Sequence, residues 1–160
     1  MRNSVLKIFL CLAMTILSQG IMHSQIRIIS QQKRDSVARA ARTLSAAEGL
    51  SFDSLRVDFG TVRESDAPVM AKFRFVNTGR TSLTVRSLST SCSCVKATLS
   101  RYVLKPGESA EITAEYDQKG HPGRHDRYIY MFMADRNDGP SRLAATVMLT
   151  GLVVENGEEQ

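Results

Sequence analysis

The stretch that decides the fold is VMAKFRFVNTG, residues 69–79. Apolar residues occupy every second position from Val69 to Phe75, and two of the residues between them are basic. A period of two predicts a strand with one buried face and one solvated face. The Asn-Thr-Gly sequence that follows at 77–79 is typical of a turn, so the strand is expected to end there.

Further segments of the same kind lie on both sides of this stretch. The predicted strands are LRVDF (55–59), SLTVRSL (82–88), CVKATL (94–99), SAEITAEYD (109–117), RYIYMFMA (127–134) and LAATVMLTGLVV (143–154). Gly60 is expected to end the first of them, and Lys-Pro-Gly-Glu at 105–108 predicts a turn. Leu88 breaks the alternation of its segment, which indicates a bulge near residues 86–87.

These segments amount to about seven short strands in about 100 residues, without long helical patterns between them. That spacing is typical of a β-sandwich and argues against a parallel α/β sheet. We therefore predict an immunoglobulin-like β-sandwich. The segment RYIYMFMA is apolar at nearly every position, which indicates a central strand covered on both faces.

The N-terminus has the features of a secretory signal peptide. Arg2 and Lys7 precede or border a short apolar run at residues 8–17, and Ser18-Gln19-Gly20 forms a small-x-small triplet. The run is shorter than the roughly 20 residues that a spanning helix needs. We expect cleavage after Gly20, with Ser24 as a second candidate and an uncleaved anchor as the alternative. The net charge then falls from +5 to +3, which is too small to indicate nucleic-acid binding.

A polar linker is predicted between the signal peptide and the sandwich. Val37, Ala41 and Leu44 follow a helical spacing, and Gly49 is placed to end such a helix. A helix of about 12 residues is marginal alone, so we expect this segment to be mobile. The predicted organisation is a signal peptide, a linker, a sandwich and an acidic tail, at residues 1–20, 21–50, 51–154 and 155–160.

The order of motifs resembles a known family. The segments are VDFGTV, FRFVNTGRTSLTV, STSCSCV, LKPGESAEITAEYD, PGRHDRYIYM and LTGLV. Together they resemble DUF1573, a family of exported bacterial proteins common in Bacteroidetes. More distantly they resemble the domains of the major sperm protein and ASH group. The resemblance implies the immunoglobulin-like fold and export, but no biochemical activity. The motif residues that it implies are Asn77, Gly79, Cys92, Cys94, Pro106 and Gly107.

The cysteine pair departs from the family signature and leaves several chemistries open. The family has Cys-Gly-Cys-Thr where this chain has Cys92-Ser93-Cys94-Val95. In a flat strand, residues two apart lie about 6.6–6.8 Å from each other, whereas a disulfide needs Cβ atoms about 3.5–4.5 Å apart, so a regular strand cannot close the bond. We predict that the pair lies where the chain leaves one sheet and crosses to the other, because the alternation breaks at residues 86–88 and hydroxyl residues cluster at 89–93. A kinked backbone there would allow the bond. We expect two reduced, partly buried cysteines with a packing role. The alternatives are a disulfide, a metal site and exchange with another molecule.

A metal site would need further ligands. His121 and His125 have a spacing that zinc sites use, and with the two cysteines they would complete a tetrahedral set. Cys-x-Cys is tighter than the usual spacing, however, and we expect the histidines on a loop at one end of the sandwich. Copper(I) would favour the thiolates, with Met131 or Met133 as helpers, although packing explains these methionines better. We therefore assign no cofactor and no metal.

The sequence lacks the catalytic motifs that would indicate an enzyme, such as Gly-x-Ser-x-Gly, a phosphate-binding glycine loop or His-Glu-x-x-His. We therefore expect an exported, non-catalytic module in the periplasm or outside the cell, bound to a protein partner in the envelope. We expect no nucleic acid and no membrane contact after cleavage. The alternative is a thiol-dependent redox or metal-handling protein that uses Cys92 and Cys94.

Overall fold

The computed structural model describes residues 35–36, 39–43, 45–46, 48–134 and 140–157. The predicted signal peptide and its cleavage sites lie outside the described residues, as do Val37, Leu44 and the last three residues of the acidic tail. No helix in the described part of the chain is long and apolar enough to cross a membrane.

Two sheets packed face to face contain the nine strands found in the described residues. The strands are β1 (Leu50–Phe52), β2 (Arg56–Arg63), β3 (Val69–Asn77), β4 (Leu83–Thr90), β5 (Val95–Leu99), β6 (Val103–Leu104), β7 (Ser109–Tyr116), β8 (Gly123–Met133) and β9 (Arg142–Val154). One sheet has the order β1-β3-β7-β5 and the other β2-β9-β8-β4-β6. The predicted immunoglobulin-like sandwich is confirmed, with the short β1 and β6 as additions.

The predicted alternation is followed closely in β3, where Phe73 and Phe75 are 1% and 0% exposed. The bulge expected in β4 is also present, as a register shift between Val85 and Ser87. Gly60, by contrast, does not end β2. It has a positive φ of 72° and lies at a register shift, beyond which the strand continues beside β9 in parallel. Glycine adopts this backbone angle without steric cost, so the strand bends there and resumes its pairing.

The core lies between the two sheets and is built from the inward side chains of their central strands. Tyr116, Ile112, Ile129 and Leu149 are each 0% exposed. Met131 and Met133 are 1% exposed and belong to the same core cluster, so packing accounts for both methionines.

The C-terminal part of the predicted linker packs against the sandwich. The described residues from 40 to 46 are helical, and Gly49, with a φ of 73°, follows the helix as the sequence predicted. Ala41 and Leu50 belong to the buried core, and Arg142 forms a two-point ion pair with Glu48. The described residues from Ala41 to Leu50 therefore pack with the domain, where the sequence predicted a mobile linker. A polar segment with one small apolar stripe gives no sequence signal for such docking.

Truncation tests this contact. A chain that begins at Asp53 loses Ala41, Glu48 and Leu50, and we expect its unfolding midpoint to fall by roughly 10 °C relative to a chain that begins at Asp35. Burial of a leucine side chain contributes about 2 kcal/mol, and 1 kcal/mol corresponds to about 4 °C in a domain of this size. Thermal unfolding followed by circular dichroism measures the difference. Equal midpoints would show that the segment contributes nothing and that the linker interpretation is right.

Candidate functional site

The cysteine loop connects the two sheets. β4 belongs to the five-stranded sheet and β5 to the four-stranded sheet, and Cys92 and Cys94 lie in the turn between them. The sequence predicted this crossover from its broken alternation and its cluster of hydroxyl residues. Thr90 donates its hydroxyl to the Cys92 carbonyl at 2.9 Å, and Ser91 accepts a 2.9 Å bond from the Tyr128 amide. Such side-chain bonds stabilise a kink in place of a regular ladder.

Cys92 and Cys94 form a disulfide, with their Cα atoms 5.2 Å apart. The preferred expectation of two reduced thiols is therefore not what the structure shows. The physical reason is the kink, which brings the Cα atoms to 5.2 Å. A flat strand would hold them about 6.6–6.8 Å apart and would leave the Cβ atoms farther from each other than the roughly 3.5–4.5 Å of a disulfide. Both side chains pack against the core and remain partly exposed.

Removing this disulfide is expected to have a modest effect. The bond closes a loop of only three residues, and the chain-entropy estimate for such a loop is about 1.6 kcal/mol. A variant with both Cys92→Ser and Cys94→Ser should unfold at most about 8 °C below the parent. Thermal scans with and without a reductant check this, because the reductant should lower the midpoint of the parent and leave the variant unchanged. Complete unfolding of the reduced parent would contradict the estimate.

The two candidate histidines differ in position. His121 lies in the loop between β7 and β8, as predicted, whereas His125 lies within β8. The Nε2 atom of His125 is 2.7 Å from the His121 carbonyl oxygen and donates to it, while Nδ1 accepts from Arg127 at 3.0 Å. Both ring nitrogens of His125 are thus engaged. Among the described residues, no three side chains of the metal-ligating types are grouped so that they could hold an ion.

Among the motif residues, Asn77 forms several hydrogen bonds. Its side chain is 0% exposed. Its amide nitrogen donates to the carbonyls of Thr81 at 2.9 Å and Leu104 at 3.0 Å, and its amide oxygen accepts from the Gly79 amide at 2.9 Å. Its backbone carbonyl also accepts from the Gly107 amide at 2.8 Å. Asn77 therefore joins two turns that are distant in sequence, which is a structural role.

The Lys105–Glu108 turn is one of the two turns that Asn77 joins. The Glu108 amide donates to the Lys105 carbonyl at 3.0 Å, and the Lys105 amide donates to the Glu108 carboxylate at 2.8 Å. That backbone hydrogen bond, assisted by the Arg101 side chain, lowers the pKa of Glu108. Gly107 has a φ of 81°, which suits a glycine at this place in the turn. Pro106 and Gly107 of the motif thus shape the turn.

The outer face of the four-stranded sheet is charged. Lys72 of β3 lies 2.8 Å from Glu111 of β7, and Lys96 of β5 lies 3.6 Å from Glu115 of β7. Lys96 lies directly opposite Glu115, whereas Lys72 reaches diagonally to Glu111, whose direct partner on β3 is Arg74. Opposite charges paired in this way are typical of a sheet face in contact with water.

The outer face of the five-stranded sheet carries aromatic side chains along β8. The side chains of Ile129, Met131 and Met133 in β8 point into the core, so the residues that alternate with them point outward. Those outward residues are Tyr128, Tyr130 and Phe132. The rings of Tyr128 and Tyr130 are stacked with their centres 6.4 Å apart, and Phe132 lies opposite Leu143 of β9. We define Tyr128, Tyr130, Phe132 and Leu143 as the aromatic face.

Exposed apolar side chains are concentrated on this side of the molecule. Five large apolar residues are exposed in the described chain, and Val103, Leu143 and Leu152 among them lie on strands of the five-stranded sheet. Tyr102, which is 54% exposed, directly precedes β6 of that sheet, and only Met70 lies on the other sheet. Leu143 among them lies opposite Phe132 of the aromatic face. Contiguous exposed apolar surface marks an interaction site more often than single apolar residues do.

The sequence did not identify the aromatic face. The run RYIYMFMA predicted a strand covered on both sides, but among the described residues only its inner side is covered by the other sheet. The signal was present as the alternation Tyr-x-Tyr-x-Phe at 128–132. A run that is apolar on both faces has the same sequence pattern in a strand buried between two layers and in one whose outer side chains are only half-buried.

DUF1573, described as a protein of unknown function, matches residues 50–148, which extend from β1 into β9. The chain belongs to the DUF1573 family. The resemblance found in the sequence is thereby confirmed. No curated protein matches the chain.

Solved structures of other proteins share the fold at low identity. The VesB protease of Vibrio cholerae is 16% identical with a TM-score of 0.55, over 69% of this chain and 33% of that one. A protein of unknown function from Porphyromonas gingivalis W83 is 18% identical with a TM-score of 0.53, over 64% and 46%. The ASH/PapD-like domain 7 of human CEP192 is 10% identical with a TM-score of 0.52, over 68% and 87%.

This DUF1573 chain therefore spans a third of the VesB protease and under half of the Porphyromonas gingivalis protein. The likeness to the CEP192 domain confirms the distant similarity to the ASH group. At these identities the similarity shows a shared fold.

Proposed function

We propose that this DUF1573 chain is an exported, non-catalytic module that binds a protein partner in the cell envelope through its aromatic face. The observation that carries the proposal is the contrast between the two outer faces, one with cross-strand ion pairs and the other with Tyr128, Tyr130 and Phe132. Aromatic side chains offer a large apolar area at a small cost in conformational entropy, and they are enriched at the centres of protein interfaces.

Site-specific photo-crosslinking in cells of the source organism tests the binding surface. A photoreactive amino acid at position 130 should give a discrete protein adduct. The same amino acid at position 113, on the charged outer face of the four-stranded sheet, should give none. Phe132→Ser should remove the adduct formed from position 130, because it deletes a neighbouring apolar contact. Adducts of equal strength from both positions would overturn the assignment of this face.

The proposed export has its own test. Protein recovered from the source cells should begin near Ile21, because the triplet Ser18-Gln19-Gly20 is the expected cleavage site. N-terminal sequencing or intact-mass measurement distinguishes the outcomes. Recovery of protein that retains Met1 would contradict cleavage.

A second candidate function is thiol-dependent redox chemistry or metal handling at Cys92 and Cys94. It is favoured by one observation, which is that the paired sulfurs lie in a partly exposed turn. Thiol titration of the reduced protein, with and without denaturant, separates the two functions. Thiols that react fully in the native state with a measurable reduction potential, or metal found by elemental analysis, would favour this candidate. Thiols that react only after unfolding would favour the binding module.

A further inference from the structure

An arginine lies among the inward side chains of β8 in this DUF1573 sandwich. Ile129 and Met131 point into the core, so the half-buried Arg127, two positions before Ile129, points to the same side. Its guanidinium carbon lies 5.6 Å from the centre of the Tyr116 ring, and its Nη2 atom donates to Nδ1 of His125 at 3.0 Å. A guanidinium group does not lose its proton in proteins. A permanent positive charge is therefore held between the two sheets.

No carboxylate in the described part of the chain balances this charge. None of the ion pairs found there includes Arg127. Asp126, the nearest acidic residue in the chain, points to the opposite face of β8, where it accepts from the Thr150 hydroxyl at 2.6 Å. The contact with the Tyr116 ring offsets part of the cost of removing the guanidinium from water. The rest of that cost is compensated only when an anion is bound.

Two donor atoms of this cluster are buried without a hydrogen-bond partner. They are the Nε atom of Arg127 and the hydroxyl oxygen of Tyr116, whose side chain is 0% exposed. Most buried polar groups in proteins have a partner. The other such side-chain atom in the described residues is Oε1 of Gln118, which is an acceptor and cannot bind an anion. Two unpartnered donors, one of them cationic, indicate a ligand that accepts hydrogen bonds and carries negative charge.

We propose that Arg127 and Tyr116 bind a carboxylate at this end of the sandwich. A planar carboxylate accepts charge-assisted hydrogen bonds from a guanidinium fork, and the Tyr116 hydroxyl donates one more. A phosphate, with its larger charge and its three terminal oxygens, would need more donors than these two side chains supply. His125 has a positioning role, because its Nδ1 atom holds the Nη2 end of the Arg127 guanidinium.

Acetate is the probe for this site. With a dissociation constant of roughly 20 mM, acetate at about 0.1 M should raise the unfolding midpoint of the full chain by about 4 °C. Acetamide, which has the same shape without the charge, and sodium chloride at the same ionic strength should leave the midpoint unchanged. In nitrogen-15 NMR spectra, the Nε–H signal of Arg127 should move with acetate and then saturate. An equal response to chloride would show that the effect is ordinary salt screening and would overturn the proposal.

Two conservative substitutions test the residues of the site. Arg127→Lys keeps the positive charge but removes the Nε–H donor, so it should abolish the response to acetate. Tyr116→Phe removes one donor and should weaken acetate binding about fivefold. Arg56→Lys and Tyr102→Phe are the matched controls, because Arg56 pairs with Asp58 and Tyr102 is 54% exposed, and both should respond as the parent does. A response that survives Arg127→Lys would place the acetate elsewhere.

Stability in the absence of acetate separates a carboxylate site from a buried water. Tyr116→Phe removes a hydroxyl that has no partner, so the unfolding midpoint should stay the same or rise by up to about 4 °C. A buried water bonded to the Tyr116 hydroxyl and to Nε of Arg127 predicts the opposite, because the substitution would break one of its bonds. A lower midpoint for Tyr116→Phe, together with no response of the parent to acetate, would therefore refute the carboxylate site.

The carboxylate can come from a small free acid or from an acidic group of the protein partner, and cells distinguish the two sources. Arg127 directly precedes Tyr128 of the aromatic face. If the partner supplies the carboxylate, Arg127→Lys should weaken the adduct formed from position 130, whereas a free acid predicts an unchanged adduct. The acetate measurements use the purified protein and do not depend on this adduct. Loss of the acetate response and loss of the adduct are therefore separate results, the first against the carboxylate site and the second against the aromatic face.

Discussion

Asn77→Leu is expected to lower the free energy of unfolding by about 4 kcal/mol, which is a large share of the 5–15 kcal/mol typical of a domain. The substitution leaves the carbonyls of Thr81 and Leu104 and the amide of Gly79 without the partner that each has now. The bond to Leu104 is buried and the bonds to Thr81 and Gly79 are partly buried. A buried polar group without a partner costs roughly 1–3 kcal/mol, and a partly buried one costs less. The corresponding fall in the unfolding midpoint is about 15 °C.

Asn77→Asp is a second test of the same hydrogen bonds. The new carboxylate still accepts from the Gly79 amide, but it turns an oxygen toward the carbonyls of Thr81 and Leu104, to which Asn77 donated. A buried charge that faces two acceptors is strongly unfavourable, so this variant should be at least as unstable as Asn77→Leu. Asn156→Asp is the matched control. Asn156 is exposed and only accepts from the Ser65 amide, so the change should have almost no effect.

Chemical denaturation with urea measures all three variants. The expected order of unfolding midpoints is Asn156→Asp equal to the parent, then Asn77→Leu, then Asn77→Asp at or below it. A stable Asn77→Asp protein would show that the three hydrogen bonds do not hold the two turns together.

Gly151→Ala is the second substitution with a large expected effect. A Cβ atom at position 151 would lie 2.2 Å from Cε2 and 2.3 Å from Cδ2 of Phe59, and 2.7 Å from the Gly60 carbonyl oxygen. The Phe59 ring has to leave this place, where it lies 5.6 Å from the Tyr116 ring, and β2 has to move away from β9. Overpacking of this kind costs about 3 kcal/mol, or about 12 °C in the unfolding midpoint.

A double-mutant cycle with Phe59→Ala provides the control. Without the Phe59 ring, Gly151→Ala loses its two nearest contacts and keeps the one with the Gly60 carbonyl, so its cost should fall by at least roughly 1 kcal/mol. Thermal unfolding of the parent, the two single variants and the double variant gives the coupling. If the two effects simply add, the clash with the ring is not the cause of the instability.

Much of the fold was predictable from the sequence because strands and turns follow patterns among neighbouring residues. The alternation from Val69 to Phe75 and the Lys-Pro-Gly-Glu turn depend on neighbouring residues only, and the structure reproduces both. The bulge in β4 was likewise visible as a break in the period. Gly60 was misread because a glycine that ends a strand and one that bends it have the same sequence signal.

The candidate sites were less predictable. The sequence placed Cys92 and Cys94 at the crossover between the sheets, but the kink that joins their sulfurs depends on bonds to residues such as Tyr128. Asn77 was recognisable as a motif residue, yet its bond to Leu104 spans 27 positions. The docking of Ala41 was similarly hidden, because a small apolar residue in a polar segment gives no sign of what it contacts.

The sequence by itself determined which residues of each strand share a face, since that follows from the period of two. It also determined the turns, because proline and glycine restrict or release the local backbone. Only the tertiary structure decided which faces are covered. Strand order places β8 in the centre of its sheet with the aromatic face outward, and it places β5 at an edge. Whether a face is covered depends on strands that are distant in sequence, so no pattern among neighbouring residues predicts it.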